Sequence, residues 1–450
     1  MKKTLLLLAC ASAIQVKAQC WLTACVGGDN SLGIKTDGTL WAWGYNNVGQ
    51  CGDGTTTDRY LPTQIGTASN WKIISLDCGI KTDSTLWTWG WNYYGQLGDG
   101  TTVDEHSPIQ VGINTKWKNS SLSGDFSLAI KADSTLWAWG LNISGQLGDG
   151  TNTDKHFPVQ IATGTNWRVV CTGSEHSLAI KTDGTLWAWG RNNYGQLGNS
   201  TTTNTNVPVQ IGTGTNWQSI SAGLYHSVAI KTDGTLWAWG SNGAGALGDG
   251  TNIDKHVPTQ IGTGTNWQSI SAGNDNCLAI KTDGTLWGWG PDNWGQFGDG
   301  TNNNTNAPIQ IGTGNNWMMI STDGYHTMAL KTDGSLWTWG YNANGQLGDG
   351  TTVNKNFPVP INCPFAGIEE VSSKSNYWSV YPNPATTVFA IQNPENKSFD
   401  RTGIFDIMGR QVVEIEDKAT QVNIQSLEKG LYELRIISEG KNYTVKIIKE

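Results

Sequence analysis

Basic residues are scarce in this chain of 450 residues. Lys and Arg number 29 against 37 Asp and Glu, giving a formal net charge of −8. Binding to phosphate needs clustered Lys and Arg, so the balance argues against nucleic acid and anionic lipid as partners. No Cys-x-x-Cys pair occurs among the eight cysteines, which removes the usual zinc spacing. No glycine-rich phosphate loop leads into a helix, and the six histidines do not form a ligand set with acids. No cofactor and no metal is expected from these absences. Long apolar runs are also missing outside the amino terminus. There Lys2 and Lys3 precede a mostly apolar stretch, 4–14, and Val16-Lys17-Ala18 offers a small-residue cleavage site. Residues 1–18 read as a secretory signal peptide, too short for a membrane span of about 20 residues. The mature chain, starting at Gln19, is expected to carry no transmembrane segment.

Glycine and tryptophan are abundant instead, at 57 and 24 residues. The pattern Trp-x-Trp-Gly recurs seven times, starting at Trp41, Trp87, Trp137, Trp187, Trp237, Trp287 and Trp337, with a first spacing of 46 residues and then 50. Seven more tryptophans, from Trp21 to Trp317, open the repeats. A fixed period of this size in β-type sequence means a propeller or a similar array. The unit 217–261 reads as four short strands. Asp233-Gly234 makes a hairpin turn, Trp237 and Trp239 share one strand face, and Pro258 marks an edge strand. The fold class is therefore all-β, with a seven-bladed β-propeller over 19–363. A single blade cannot bury both faces, and a buried aromatic side chain removes about 150–250 Å² from water. The paired tryptophans are expected to fill the core between blades. Repeat two is short, with 10 residues from Trp71 to Lys81 against 14 elsewhere, so its first hairpin should be clipped or its strand shortened.

The repeat stops after Cys363. Residues 364–378 read as a polar linker. From 379 to 450 Lys and Glu rise, and stretches 388–391, 403–407, 411–415, 431–437 and 443–448 alternate as strands of a small β-sandwich. Two cysteines bracket the ring. Cys20 precedes the first repeat and Cys363 ends the last. The matching internal positions, Thr213 and Asn216, are three residues apart. A closed ring would bring Cys20 and Cys363 together, and a disulfide is expected there in an oxidising compartment. The other mature cysteines stand in for repeat residues: Cys277 for Ser177 and Ser227, Cys51 for Leu97.

Three separated elements recur in order: Gly223-Leu224-Tyr225-His226-Ser227, the Leu-Trp-Ala-Trp-Gly strand, and the Asn-x-x-Gly-Gln-Leu-Gly segment at 192–198. Together they resemble the regulator of chromosome condensation repeat family, which folds as seven-bladed propellers. In eukaryotic members one face acts as a nucleotide exchange factor or binds chromatin. A secretory signal and an acidic ring suit neither role. A secreted bacterial inhibitor of β-lactamase is similar in fold and offers an analogue, a propeller that only binds another protein. The carboxyl end resembles the type A sorting domain of the type IX secretion system of Bacteroidota. The motifs are Tyr381-Pro382-Asn383-Pro384, Asp406-Ile407-Met408-Gly409-Arg410 and Lys429-Gly430-Leu431-Tyr432, with a terminal Lys446-Ile447-Ile448-Lys449. That resemblance implies Sec export, passage through type IX machinery, and a final place in the surroundings or attached to the outer-membrane surface.

The histidines occupy equivalent blade positions, which spreads them around the ring and suggests structural hydrogen bonding. Asp-Gly-Thr recurs with a second acid or amide, as in Asp249/Asp254 and Asp299/Asn304. Calcium could use such oxygens. Asn199 and Asn204 replace both acids in repeat four, however, which favours a turn that caps its own backbone. Strand parity puts the Gly-x-x-His turn and the Asn-x-x-Gly loop on one end of every blade. The variable positions there include Trp91, Tyr93, Tyr94, Tyr194, Trp294 and Tyr341, with Asp125, Glu175, Tyr225, Asp275 and Tyr325. Aromatic anchors mixed with acids make a protein- or glycan-binding face. The expected function is an exported binding or adhesion module with an unidentified extracellular protein or glycan partner, and not an enzyme. The alternatives are a lyase or hydrolase sited at the channel, for which the sequence shows only dispersed His, Asp and Glu, and a purely structural surface protein.

Overall fold

The computed structural model describes residues 20–113, 116–361, 379–381, 385–392, 401–406, 410–415, 421–438 and 441–449. The signal peptide, Cys363, the linker at 364–378, Pro382, Asn383, Pro384 and Gly409 lie outside the described residues. The chain divides into two compact units, 1–363 and 364–450.

In the first unit seven four-stranded antiparallel sheets follow one another, each built from consecutive strands. Blade five shows the rule with strands Trp217–Ala222, His226–Lys231, Leu236–Gly240 and Lys255–Gln260. Asp233 caps the hairpin, its Oδ1 accepting from Thr235 N at 3.0 Å and Thr235 Oγ1 at 2.6 Å. Thr235 Oγ1 in turn accepts from Trp237 Nε1 at 2.8 Å. Each blade has two unlike faces. One carries Leu, Ile and Ala, such as Leu178, Ile180, Leu186 and Ala188 of blade four. It packs on the tryptophan face of the next blade, Trp217 and Trp239. The last seam joins Met328, Leu330, Leu336 and Ile361 of blade seven to Trp21, Val26 and Trp43 of blade one, so the ring closes.

A repeated bond set ties each seam. The carbonyl of Gln196 in blade four accepts from Ser227 Oγ at 2.8 Å and from Trp239 Nε1 at 2.9 Å, both in blade five. The closing seam repeats it, with Gln346 O accepting from Ser31 Oγ at 2.8 Å and Trp43 Nε1 at 3.0 Å. Two residues later the chain needs glycine. A Cβ on Gly348 would lie 2.7 Å from Trp43 Nε1, and its φ is +68°.

The two tryptophans of each pair differ, which corrects the expectation that all fourteen are core. The second of each pair is fully buried, from Trp43 to Trp339. The first is half-buried. It lies at the hairpin end, where a lysine covers it, with Lys231 Nζ 3.7 Å from the Trp237 ring centroid. That cation–π contact adds to the Thr235 bond and holds the ring at the surface.

Repeat two is clipped as expected. Its first strands are Trp71–Ser75 and Cys78–Lys81, joined by Leu76 and Asp77, with Leu76 at a φ of +39°. The second unit contains two sheets, of three and four strands. They share a core of Val380, Phe389, Ile391, Ile404, Ile415, Val422, Leu434, Ile436 and Ile447. Two short strands, Ser379–Tyr381 and Gln421–Asn423, escaped the sequence pattern because three residues carry too little alternation.

Among the described residues five thiols are free: Cys25, Cys51, Cys78, Cys171 and Cys277. Burial pushes the Cys78 thiol up to about 12, so it stays protonated. Cys277 does the work of a serine, pairing with His226 Nε2 at 3.1 Å. Cys20 is disulfide-bonded and packs against the closing seam beside Ile361. We propose Cys363, two residues beyond Ile361, as its partner. Non-reducing peptide mapping should recover Cys20 and Cys363 in one linked pair, and free thiols at both would refute it. The seam also predicts unequal tryptophans. Trp239→Ala should cost about 3–5 kcal/mol by chemical denaturation, and half-buried Trp237→Ala clearly less.

Candidate binding face

The turn after the first strand and the loop after the third emerge together, as strand parity requires. Backbone bonds tie them: Arg191 N to Glu175 O at 2.9 Å, Ser241 N to Tyr225 O at 2.9 Å, and Tyr341 N to Tyr325 O at 2.9 Å. The first turns of all seven blades converge on a cavity of about 600 Å³. Its wall carries Asp29, Asp77, Asp125 and Asp323, with Tyr45 and Trp91. The sequence reading had the acids dispersed. Ring closure instead gathers the carboxyls of blades one, two, three and seven around one mouth. Burial raises Asp29, helped by Asp323 and opposed by His326. Burial and then Glu175 raise Asp125, and burial raises Asp275.

The histidines after the first turns bridge neighbouring blades, and His326 also meets this mouth, its Nδ1 3.3 Å from Asp323 Oδ2. His176 Nε2 pairs with Ser227 Oγ of the next blade at 3.0 Å, and His326 Nε2 with Ser31 Oγ at 2.8 Å. Burial lowers His176 to about 3 and His226 to about 4, so both are neutral props between blades.

The predicted aromatic residues fall into three groups on this end. In blade two, Trp91 stacks on Tyr93 at 6.3 Å, and Tyr93 meets Tyr94 edge-on at 4.9 Å. Across blades four and five, Tyr194 lies 5.1 Å from Tyr225. Arg191 covers Tyr225 at 4.9 Å and pairs with Glu175 at 2.8 Å, while Ser144 Oγ donates to Glu175 at 2.7 Å. Across blades six and seven, Trp294 meets Tyr341 at 4.9 Å, and Tyr341 meets Tyr325 at 6.4 Å. Tyr93 is 66% exposed, Tyr325 43% and Trp294 41%, so the clusters are not core. Asp125 lines the mouth, and Asp275 sits half-buried on its turn. Sequence reasoning missed Arg191 and Tyr45, although both occupy the repeat position of Trp91 and Tyr341.

It also missed the role of Asp77. Cys78 pairs with Thr88 as Val228 pairs with Ala238, so the clipped hairpin puts Asp77 at the position of Ser227. An ionised carboxylate cannot donate to the seam carbonyl. Asn30, standing where blade five has His226, supplies the donor instead. Its Nδ2 reaches Gln50 O at 3.1 Å and Asp77 Oδ1 at 2.9 Å. Burial pushes Asp77 up to about 7, with the Asn30 bond pulling the other way.

In the second unit the motif residues hold turns. Arg410 Nε bonds Asp406 Oδ2 at 2.8 Å, and Tyr432 Oη donates to Glu428 O at 2.9 Å. Gly430 begins the strand Gly430–Ser438, and Tyr381 ends Ser379–Tyr381.

Residues 77–378 match the model of the RCC1-like domain. The chain belongs to the RCC1-like domain family. Its residues 37–81 and 23–50 also match models of the regulator of chromosome condensation (RCC1) repeat. Residues 379–450 match the secretion system C-terminal sorting domain, which marks this RCC1-like protein for export to the cell surface or beyond. Among solved structures it is similar to yeast RCC1 (Prp20), crystallised with Kap60. Identity is 18%, coverage 77% of this chain and 86% of that one, and the TM-score 0.65. It is also similar to human WBSCR16, at 22% identity, 68% and 85% coverage and a TM-score of 0.61. At these identities the likeness carries the fold alone. Among the described residues no helix is long and apolar enough to cross a membrane.

Asp77 yields a pH prediction. Its folded value lies above the ordinary 3.8, so the folded state holds the extra proton. Its stabilising share is complete below about pH 4 and is lost as pH rises towards 7. Asp77→Asn should therefore raise the melting temperature at pH 8 by about 2–4 °C and leave it nearly unchanged at pH 4. Equal shifts at both pH values would contradict this.

Proposed function

We propose that this RCC1-like protein is an exported protein- or glycan-binding module, which captures its partner on the loop end of the ring. The observation that supports this most is the grouping of half-exposed aromatic side chains on that one end. Trp91, Tyr93 and Tyr94 form one anchor, Tyr194 and Tyr225 a second, and Trp294, Tyr325 and Tyr341 a third. Rigid aromatic rings give large contact area at small entropic cost, and Arg191 with Glu175 adds a charged pair beside them. The sorting domain supplies the route outward through the secretion machinery, released or held at the surface.

Carboxyls converging at the mouth favour one second reading, an exported hydrolase or lyase. Turnover of a surface polymer that Asp29→Asn and Asp125→Asn both abolish would replace binding with catalysis.

The test of the binding reading is direct. The mature protein is used in pull-downs from the organism's surroundings and on glycan arrays. Substituting Tyr94, Tyr194 and Trp294 by Ala together should lower capture at least tenfold, with circular dichroism and melting temperature close to the parent. Undiminished capture would remove this face from consideration.

A further inference from the structure

Six of the seven loops after the third strand pivot on a buried asparagine. Asn242 shows the pattern. Its Oδ1 accepts from Leu247 N at 3.0 Å, and its Nδ2 donates to Asp249 Oδ1 at 3.0 Å, Thr251 O at 3.0 Å and Ile253 O at 3.3 Å. Asn342 repeats it in blade seven, donating to Asp349 Oδ1 at 3.2 Å and Thr351 O at 3.0 Å. In blade six the pivot is Asp292. The backbone is unchanged. Oδ1 accepts from Phe297 N at 2.8 Å, and Asp292 N donates to Asn304 Oδ1 at 2.8 Å. Oδ2 therefore takes the place of the amide nitrogen. The partners of the Asn242 amide correspond here to the Asp299 carboxylate and the carbonyls of Thr301 and Asn303, acceptors all. Asp292 is fully buried, and its Oδ2 has no hydrogen-bond partner.

Charge deepens the mismatch. Where the Asp-Gly-Thr acid is kept, a basic side chain commonly answers it: Lys155 to Asp149 at 3.2 Å, Lys255 to Asp249 at 3.0 Å, Lys355 to Asp349 at 3.6 Å. Blades four and six have Thr205 and Thr305 at that strand position. Blade four compensates with a neutral pair, Asn192 Nδ2 donating to Asn199 Oδ1 at 3.1 Å. Blade two, with Glu105 there, keeps the Asn92 donor to Asp99. Blade six instead loses the lysine and gains a second carboxylate.

We infer that the loop of blade six holds one calcium ion, bound by the Asp292 and Asp299 carboxylates and the carbonyls of Thr301 and Asn303. All of these donors are oxygen, the set calcium takes, and water would complete its six to eight ligands. With only two carboxylates the affinity belongs to the extracellular range, a Kd of about 10⁻⁴–10⁻³ M. The same loop carries Trp294, whose ring packs on Tyr341. The ion replaces the amide hydrogens that tie the other six loops. The inference stands whether or not this end of the ring binds a partner.

The test uses the mature chain stripped with chelator, then titrated with calcium chloride by calorimetry at pH 7.5. Terbium luminescence excited through tryptophan provides a second readout. One site is expected. Asp292→Asn, which restores the amide of the other loops, should fold with undiminished stability in calcium-free buffer and bind at least tenfold more weakly. Asp299→Asn should weaken binding likewise. Calcium binding unchanged in Asp292→Asn would place any ion elsewhere and overturn the inference. So would the absence of any response by the parent protein up to about 10 mM calcium.

Discussion

One backbone carbonyl per seam carries the ring. A buried carbonyl has two acceptor sites, and leaving such a group unpaired costs about 1–3 kcal/mol. Both donors to Gln196 O come from blade five, from Ser227 and Trp239, which stand directly opposite each other on neighbouring strands. The carbonyl is met only when the next blade sits at one height and one rotation. The chemistry of the donor explains the variation tolerated there. Thr327 keeps the hydroxyl, and Cys277 keeps a weaker donor to Ala246 O at 3.6 Å. Asp77 breaks the rule, and the correction appears in the preceding blade, where Asn30 offers two amide hydrogens.

That constraint shapes what the two ends can do. At the hairpin end the same chain of contacts recurs in every blade, from Asp through Thr or Ser to the indole of the first tryptophan. Its last bond measures 2.8–2.9 Å throughout. A lysine closes each set over that indole. The bonding pattern does not vary, and the contacts face inward on each other. At the loop end the variable positions lie exposed, Tyr93 at 66% and Ile143 at 68%. They are free to be Tyr93 in one blade and Ile143 in another.

Much of this was legible in the residues alone. A period of 50 gave the blades, Asp-Gly the hairpins, and the short second repeat its clipped turn. The sorting motifs marked the second unit. Periodicity describes one blade at a time, however, and three findings depend on neighbours. The gathering of Asp29, Asp77, Asp125 and Asp323 needs a closed ring. The half-burial of Trp237 against full burial of Trp239 needs the depth of the adjoining blade, since both indoles point the same way. The role of Asp77 needs the strand register, because a four-residue deletion hides which position it inherits.

Identical blades would give a symmetric object with seven equal seams and no preferred side. Departures from the repeat break that symmetry, and they are not scattered. Blade two loses its long hairpin and places Trp91, Tyr93 and Tyr94 beside the mouth. Blades six and seven bring Trp294, Tyr325 and Tyr341 together, on a loop whose pivot is itself altered to Asp292. Blade three, with Leu141 and Ile143 at the corresponding positions, contributes no ring. Under the proposed binding role, a partner approaching this end would meet unequal sectors, which would fix its orientation about the axis. A symmetric ring could capture a partner but could not orient it, and under that role orientation is what the irregular blades would add to the scaffold.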